Sequence, residues 1–171
     1  MTTTPGDKTM TATNASKNPE MLSVHVSQFI RAPRERVFEA WVEPEMRRKW
    51  WRTYSGDGLT TCEVDARVGG RYCMKQIGSG CDSPDQDPNY EWIMEGQFLE
   101  VDPPRKLVFT WNVNHDPPTV DERVTIEFHE VEGGTDVTLK HEGILSPAMR
   151  DGTEGGWTTH LKAIAEVLEQ K

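Results

Sequence analysis

The stretch SPAMRDGTEGGWTTHLKAIAEVLE, residues 146 to 169, carries the longest helical pattern in the chain. Ser146-Pro147 is a helix start, because a serine hydroxyl accepts first-turn amides and proline is favoured at the first helical position. Apolar side chains recur along it at helical spacing, at Met149, Trp157, Leu161, Ile164, Ala165 and Leu168. A helix with one apolar face needs a partner, and the upstream segments alternate like strands. The pattern therefore predicts a long C-terminal helix lying across one antiparallel sheet.

The pair Gly155-Gly156 interrupts this helical pattern. Each glycine costs roughly 1 kcal/mol relative to alanine in a helix interior. Three interpretations remain open: a short loop at this point, a backbone that approaches another group closely, or a helix that begins only near Gly156, after a turn segment over residues 146–154.

The composition of the chain suits a single domain of 171 residues with a net charge of -9. The polar first twenty residues predict a disordered tail over 1–20, followed by one domain over 21–171. Because no apolar run is long enough for a membrane span or a signal peptide, we expect a cytoplasmic protein. The 28 acidic residues outnumber the 19 basic ones, so nucleic acid is not an expected partner.

Metal and cofactor motifs do not emerge from the sequence. The only dense acidic group, Asp82, Asp85 and Asp87, lacks the glycine and the distal glutamate of a calcium loop. No glycine-rich loop connects a strand to a helix as phosphate binding requires. We therefore expect no metal and no cofactor. The three cysteines fit neither a disulfide framework nor a zinc site, and we expect free thiols at Cys62, Cys73 and Cys81.

Alternating and helical patterns give the order of the remaining elements. A strand from residue 22 to about 30 precedes two short helices, the first opening at Ala32-Pro33 and the second running from Glu45 to about Trp51. Six strands follow, separated by turns such as Gly69-Gly70 and Gly133-Gly134. The prediction is an α+β fold of order β-α-α-β6-α, in which a curved antiparallel sheet of six to seven strands wraps around the C-terminal helix.

Several motifs occur in a fixed order along these elements. They are IRAP (30–33), VFEAW (37–41), the segment from Pro44 to Trp51, DARVGG (65–70), GQFLEVDPPRKLVFTW (96–111), and GGW (155–157) with Leu161. In this order they resemble the helix-grip superfamily of START and birch-pollen-allergen-like domains. More narrowly, they resemble the single-domain members of the family named after the activator of the heat-shock protein 90 ATPase. The resemblance covers residues 22–169 and implies the helix-grip fold.

The inward positions of the predicted sheet and helix form the candidate ligand site. They are Tyr72, Met74, Trp92, Met94, Phe98, Phe109, Trp111, Trp157 and Leu161. Aromatic rings and methionines line apolar ligand sites, but they also fill ordinary cores. The resemblance favours a site, because this superfamily commonly keeps the gap between sheet and helix partly open.

His141 is the weak catalytic candidate of the predicted interior. It lies in phase with Val137 and Leu139, so it should face inward. There it could bond a ligand, act as a general base, or only satisfy a neighbouring group. The chain shows no nucleophile–base–orienter set and no nucleophile elbow.

The resemblance implies three functions. The leading one is non-catalytic binding of a small hydrophobic or amphipathic ligand: a lipid, a polyketide or an aromatic compound. The second is a co-chaperone-like role with a chaperone partner in stress response, although eukaryotic activators use an additional N-terminal domain. The third is a cyclase or dehydratase using His141.

The loop from Gly78 to Asn89 is a candidate gate of the cavity. We expect the protein to be a monomer or a weak homodimer.

Overall fold

The computed structural model describes residues 21–51, 58–78, 87–114 and 122–170. Its helices are α1 (Arg34–Val42), α2 (Pro44–Trp50) and α3 (Pro147–Glu169). Its strands are β1 (Leu22–Ile30), β2 (Thr61–Val64), β3 (Arg71–Ile77), β4 (Glu91–Asp102), β5 (Lys106–Thr110), β6 (Asn112–Val113), β7 (Arg123–Val131) and β8 (Gly134–Ile144). The chain order confirms the predicted α+β fold.

All described strand pairs are antiparallel and form one sheet in the order β1-β8-β7-β5-β4-β3-β2. The short strand β6 pairs with β4 beside this path, which adds one strand to the six predicted after the helices. At the β7–β8 hairpin, Gly133 has a φ of 84°, a value that glycine adopts without strain.

Trp111 separates strand β5 from strand β6. Strand β4 pairs with β5 through Phe98 and with β6 through Met94, and Gly96 lies between the two pairings. A Cβ atom at Gly96 would overlap the carbonyl oxygen of Thr110. The glycine therefore allows the backbone between β5 and β6 to cross close to β4.

Helix α3 is continuous from Pro147 to Glu169, so a loop at Gly155-Gly156 or a later helix start is wrong. The Oγ atom of Ser146 accepts a hydrogen bond from the Met149 backbone N–H over 3.2 Å, as expected of an N-cap residue. A Cβ atom added at Gly155 or Gly156 would meet no described atom within 4 Å. The expectation of close backbone approach is therefore also wrong for the part of the chain that the structure describes.

The core lies between one face of the sheet and the helices. Helix α3 buries Trp157, Leu161, Ala163, Ile164 and Ala165, while Met149 and Leu168 are only half-buried. Helix α1 buries Val37, Phe38, Ala40 and Trp41. Fully burying one large apolar side chain contributes about 1.5–3 kcal/mol, so these contacts hold the helices on the sheet.

Other predictions concern segments that the structure covers only in part. In the described ranges, no helix is long and apolar enough to cross a membrane. Cys62 and Cys73 are free thiols, whereas Cys81 lies outside the described residues. Most of the candidate gate, residues 79–86 with Asp82 and Asp85, also lies outside them.

Candidate functional site

Aromatic and polar side chains gather where α2 and α3 pack against the sheet. We call this group the aromatic–polar cluster, and its members are Trp41, Arg47, Trp50, Trp51, Tyr72, Gln76, Trp111, Glu122, His141, Trp157 and His160. Helices α1 and α2 supply three members, and Trp51 follows directly after α2. Strands β3 and β8 supply three, and α3 supplies two. Trp111 and Glu122 are joined by a backbone hydrogen bond of 3.0 Å from Trp111 N–H to the Glu122 carbonyl.

The rings of the cluster form a continuous set of contacts. The His160 ring stacks on Trp51 with centroids 4.1 Å apart, and Trp111 lies edge-on to Trp157 at 5.1 Å. Trp41 contacts Trp157 at 6.1 Å. Pairs of this kind contribute about 0.5–1.5 kcal/mol beyond the area they bury. The cluster therefore links the helices to the sheet through aromatic packing.

His141 is buried and both of its ring nitrogens have protein partners. The Trp157 indole N–H donates to Nδ1 over 3.0 Å, and Nε2 lies 3.2 Å from Oε2 of Glu122. Since Nδ1 accepts a hydrogen bond, the proton of the neutral ring is on Nε2, which donates to the Glu122 carboxylate. In this arrangement His141 has no ring nitrogen left for a substrate.

Arg47 is the buried cation of the cluster, with 2% of its surface exposed. Its Cζ atom lies 5.9 Å from the Trp41 ring, 6.0 Å from the Trp50 ring and 5.8 Å from the Tyr72 ring. Its Nη1 atom lies 3.5 Å from Sδ of Met74, a weak acceptor. Burial lowers the pKa of the guanidinium, with Cys62 and Tyr72 acting in the opposite direction. Arginine remains protonated at any physiological pH, so a positive charge lies inside an aromatic box.

Two further polar groups of the cluster are paired. The Tyr72 hydroxyl donates to the Thr110 carbonyl over 2.7 Å, and burial raises the pKa of this phenol well above its usual range. The Trp51 indole N–H donates to Oε1 of Gln76 over 3.1 Å. These bonds fix the two rings in place.

The structure places the predicted site residues in two groups. Tyr72, Trp111, His141 and Trp157 belong to the cluster, and Met74 joins it through Arg47. Of the remaining predicted residues, Phe98 and Phe109 border the cluster, with ring centroids 5.8 Å and 5.4 Å from that of Tyr72. Trp92, Met94 and Leu161 are also buried. Of the ten, Trp111 alone is half-buried rather than buried.

Seven cluster members were not among the ten predicted site residues. They are Trp41, Arg47, Trp50, Trp51, Gln76, Glu122 and His160. Glu122 is in phase with Val124 and Ile126, so alternation could have found it. Arg47 precedes Trp50 and Trp51 by three and four residues, which places it on the same helix face.

A groove elsewhere on the protein does not involve the predicted site. It has a volume of about 510 Å³ and is lined by polar residues of the outward sheet face, including His25, Lys106, Lys140 and Glu142. Within the four described segments, no group of three or more His, Cys, Asp or Glu side chains could hold a metal ion.

An antiparallel sheet packed on one long C-terminal helix, with two short helices after the first strand, is the helix-grip class of protein. The family model described as "Activator of Hsp90 ATPase homolog 1-like protein" matches residues 31–169, and the chain belongs to this family. A comparison with curated proteins finds no match.

Solved structures share the fold. A crystal structure of a protein from Chromobacterium violaceum is 27% identical with a TM-score of 0.72, and the match covers 87% of this chain and 99% of that one. The solution structure of an AHSA1-like protein from Aeromonas hydrophila is 22% identical with a TM-score of 0.69, covering 86% and 92%. A protein from Rhizobium leguminosarum is 19% identical with a TM-score of 0.73, covering 89% and 97%. The last two likenesses show the fold alone.

Proposed function

We propose that this protein binds a small hydrophobic or amphipathic molecule, such as a lipid, a polyketide or an aromatic compound, without chemically changing it. The aromatic–polar cluster between the sheet and α3 is the proposed site. The observation that carries the proposal is the combination of buried polar groups with aromatic rings that extend to the surface. Glu122 and His141 are buried, whereas Trp111 and His160 are half-buried. Few polar groups among many rings are typical of sites that orient an apolar ligand.

Entry of a ligand requires side chains to move, since the described cluster is closely packed. Trp111 and His160 are the partly exposed rings of the cluster, and their displacement would open a path toward Trp157. Burial of apolar ligand area would supply about 25 cal/mol per Å². The same rings would then stack on the ligand instead of on each other.

A cyclase or dehydratase role is less well supported by the geometry. A general base needs a free lone pair within hydrogen-bond reach of its substrate. In His141 the Nδ1 lone pair accepts from Trp157 and the Nε2 proton is directed at Glu122. This arrangement favours a role for His141 in holding Trp157 in position.

The second candidate function is a co-chaperone-like interaction. The match to the family model described as "Activator of Hsp90 ATPase homolog 1-like protein" favours it. In this case the cluster is core, and a chaperone contacts the outside of the protein. A pull-down with the Hsp90 chaperone of the host tests this function. If no chaperone is recovered, the co-chaperone-like function is contradicted. The free thiols Cys62 and Cys73 favour a reducing compartment, which supports a cytoplasmic location for either function.

The first experiment is native mass spectrometry of the purified protein, followed by titration with the neutral fluorophore N-phenyl-1-naphthylamine. We expect a co-purified small molecule or saturable probe binding. Trp111→Ala should weaken probe binding at least tenfold, because it removes a ring that faces the ligand. Tyr90→Ala is the matched control, since Tyr90 is also half-buried but contacts Trp92 outside the cluster. Equal affinity in the wild type and both variants, or no binding at all, would overturn the proposal.

A further inference from the structure

Arg47 is a buried cation that no described carboxylate neutralises. It is 2% exposed, and its hydrogen bonding in the described part of the chain is limited to the contact from Nη1 to Met74 Sδ. Its Nε atom is buried and has no hydrogen-bond acceptor among the described residues. A buried charge is costly unless it is paired, and arginine cannot remove the charge by losing a proton.

The acidic groups nearest to Arg47 do not supply the missing negative charge. Cys62 and Tyr72 are the groups that act on the guanidinium electrostatically. Burial raises the pKa of the Cys62 thiol and of the Tyr72 phenol, so both are neutral at physiological pH. Among the described residues, the charge of Arg47 is therefore faced by aromatic rings and neutral groups.

A second donor of the same cluster also lacks an acceptor. The indole Nε1 of Trp41 is buried without a hydrogen-bond partner among the described residues. The Trp41 ring lies 5.9 Å from Cζ of Arg47. Buried N–H groups are almost always paired, because an unpaired one destabilises the folded protein. Two unpaired donors on neighbouring side chains would be satisfied by an acceptor that the described residues do not provide.

The shape of the Arg47 guanidinium suits a carboxylate as the acceptor. Nη1 contacts Met74, and the unpaired Nε shares the opposite edge of the guanidinium with Nη2. Two parallel N–H groups on one edge match the two oxygens of a carboxylate. The rings of Trp41, Trp50 and Tyr72 surround the carbon of the guanidinium and would contact the flat body of a bound molecule.

We propose that Arg47 binds the carboxylate of the ligand, and that this ligand is an aromatic carboxylic acid with an otherwise apolar body. The inference rests on the proposed function, because it assigns the ligand class of the same cluster. The carboxylate accepts from Nε and Nη2 of Arg47, and the indole N–H of Trp41 is the additional donor. With a net charge of -9 on the chain, a local cation is needed to attract an anion into this site.

The test uses two probes of the same shape, 1-naphthaleneacetate and its neutral methyl ester, titrated against the full chain by calorimetry and tryptophan fluorescence. We expect the wild type to bind the acid at least tenfold more tightly than the ester at pH 7. Arg47→Met should weaken binding of the acid at least tenfold and so remove this preference, with a smaller effect on binding of the ester. Lys49→Met is the control, because it removes the same charge from an exposed position of α2. Trp41→Phe keeps a ring but removes the N–H, and should reduce the preference by about threefold to tenfold.

The outcomes separate this inference from the proposed function. If the ester binds but the wild type shows no preference for the acid, the site exists and the assignment of Arg47 is wrong. If Arg47→Met retains the preference, the assignment is also wrong. If neither the acid, the ester nor N-phenyl-1-naphthylamine binds the wild type, the proposed function fails. If Arg47→Met does not fold, the preference for the acid over the ester is compared between Arg47→Lys and the wild type. Arg47→Lys should reduce this preference, since lysine keeps the charge but lacks the paired N–H edge.

Discussion

His141 and Arg47 are both buried polar residues, yet their surroundings differ. Each ring nitrogen of His141 has a partner, Trp157 on one side and Glu122 on the other. Arg47 has a sulfur atom for one N–H and no described acceptor for Nε. A satisfied buried group stabilises the fold, whereas an unsatisfied donor costs stability until something binds it. Within the cluster, Arg47 is therefore a stronger indicator of a ligand than His141.

The buried phenol of Tyr72 makes the folded protein less stable at alkaline pH. Burial raises its pKa, so the folded protein keeps the proton at pH values where the unfolded chain, with a tyrosine pKa of about 10, has lost it. Above this pH the folded state binds more protons than the unfolded state. The contribution of Tyr72 to the free energy of unfolding therefore falls by about 1.4 kcal/mol per pH unit. Below pH 9 the proton is bound in both states and the contribution is constant.

The variant Tyr72→Phe isolates this effect. At pH 8 we expect it to be about 1 kcal/mol less stable than the wild type, because the hydrogen bond to the Thr110 carbonyl is lost. The difference should shrink and then reverse as the pH rises from 9 to 11, since phenylalanine does not ionise. Urea unfolding at each pH measures it. A difference that stays constant over this range would contradict the prediction.

At the scale of elements, α3 contains glycines that its described surroundings do not require. Gly155→Ala and Gly156→Ala should each raise the free energy of unfolding by about 0.5–1 kcal/mol, because alanine favours a helix and meets no described atom within 4 Å. Chemical denaturation of each variant measures this.

Gly96→Ala in β4 is the contrasting variant. Its new methyl group would overlap the Thr110 carbonyl and lie 2.8 Å from Cε1 of Tyr72, so we expect destabilisation by about 1–3 kcal/mol.

A stability loss for Gly155→Ala and Gly156→Ala would contradict the prediction for α3. It would show that these two glycines serve a contact or motion that the described residues do not display.

The elements could be predicted from sequence to the extent that they follow local periodicity. Alternation correctly placed Tyr72 and His141 on the inward face, and helical spacing placed Trp157 and Leu161 there. The division of the strand at Trp111 was missed, because it depends on a backbone crossing beside Gly96 that local pattern does not encode.

The cluster was predicted less completely than the fold. Arg47 lies in the run Arg47-Arg48-Lys49, and a basic run is normally a solvated face. Arg47 packs against Trp41 of α1 and against Tyr72 and Met74 of β3, so only tertiary packing distinguishes it from Lys49. Glu122 follows a proline-rich segment, which hid the alternation it shares with Val124.

At the scale of the whole molecule, the sheet extends beyond the segment that the family model matches. The match begins at residue 31, whereas β1 covers Leu22–Ile30. This strand pairs with β8 at nine positions and buries Val24 and Ile30. Next to it, the Arg31 backbone N–H donates to Oε1 of Glu169 over 2.9 Å, which ties the end of β1 to the end of α3. The structural domain therefore begins before the matched segment.

Two truncations test where the domain begins. Deleting residues 2–20 should leave the melting temperature unchanged, because these residues are predicted to be a disordered tail. Deleting residues 2–30 should abolish cooperative unfolding or lower stability by more than about 3 kcal/mol, since it leaves one edge of β8 unpaired and removes Val24 and Ile30 from the core. Circular dichroism during heating compares both with the full chain. If the shorter deletion also destabilises the protein, residues 1–20 pack against the domain and the tail prediction is wrong. If the longer deletion melts like the full chain, β1 is dispensable for the fold.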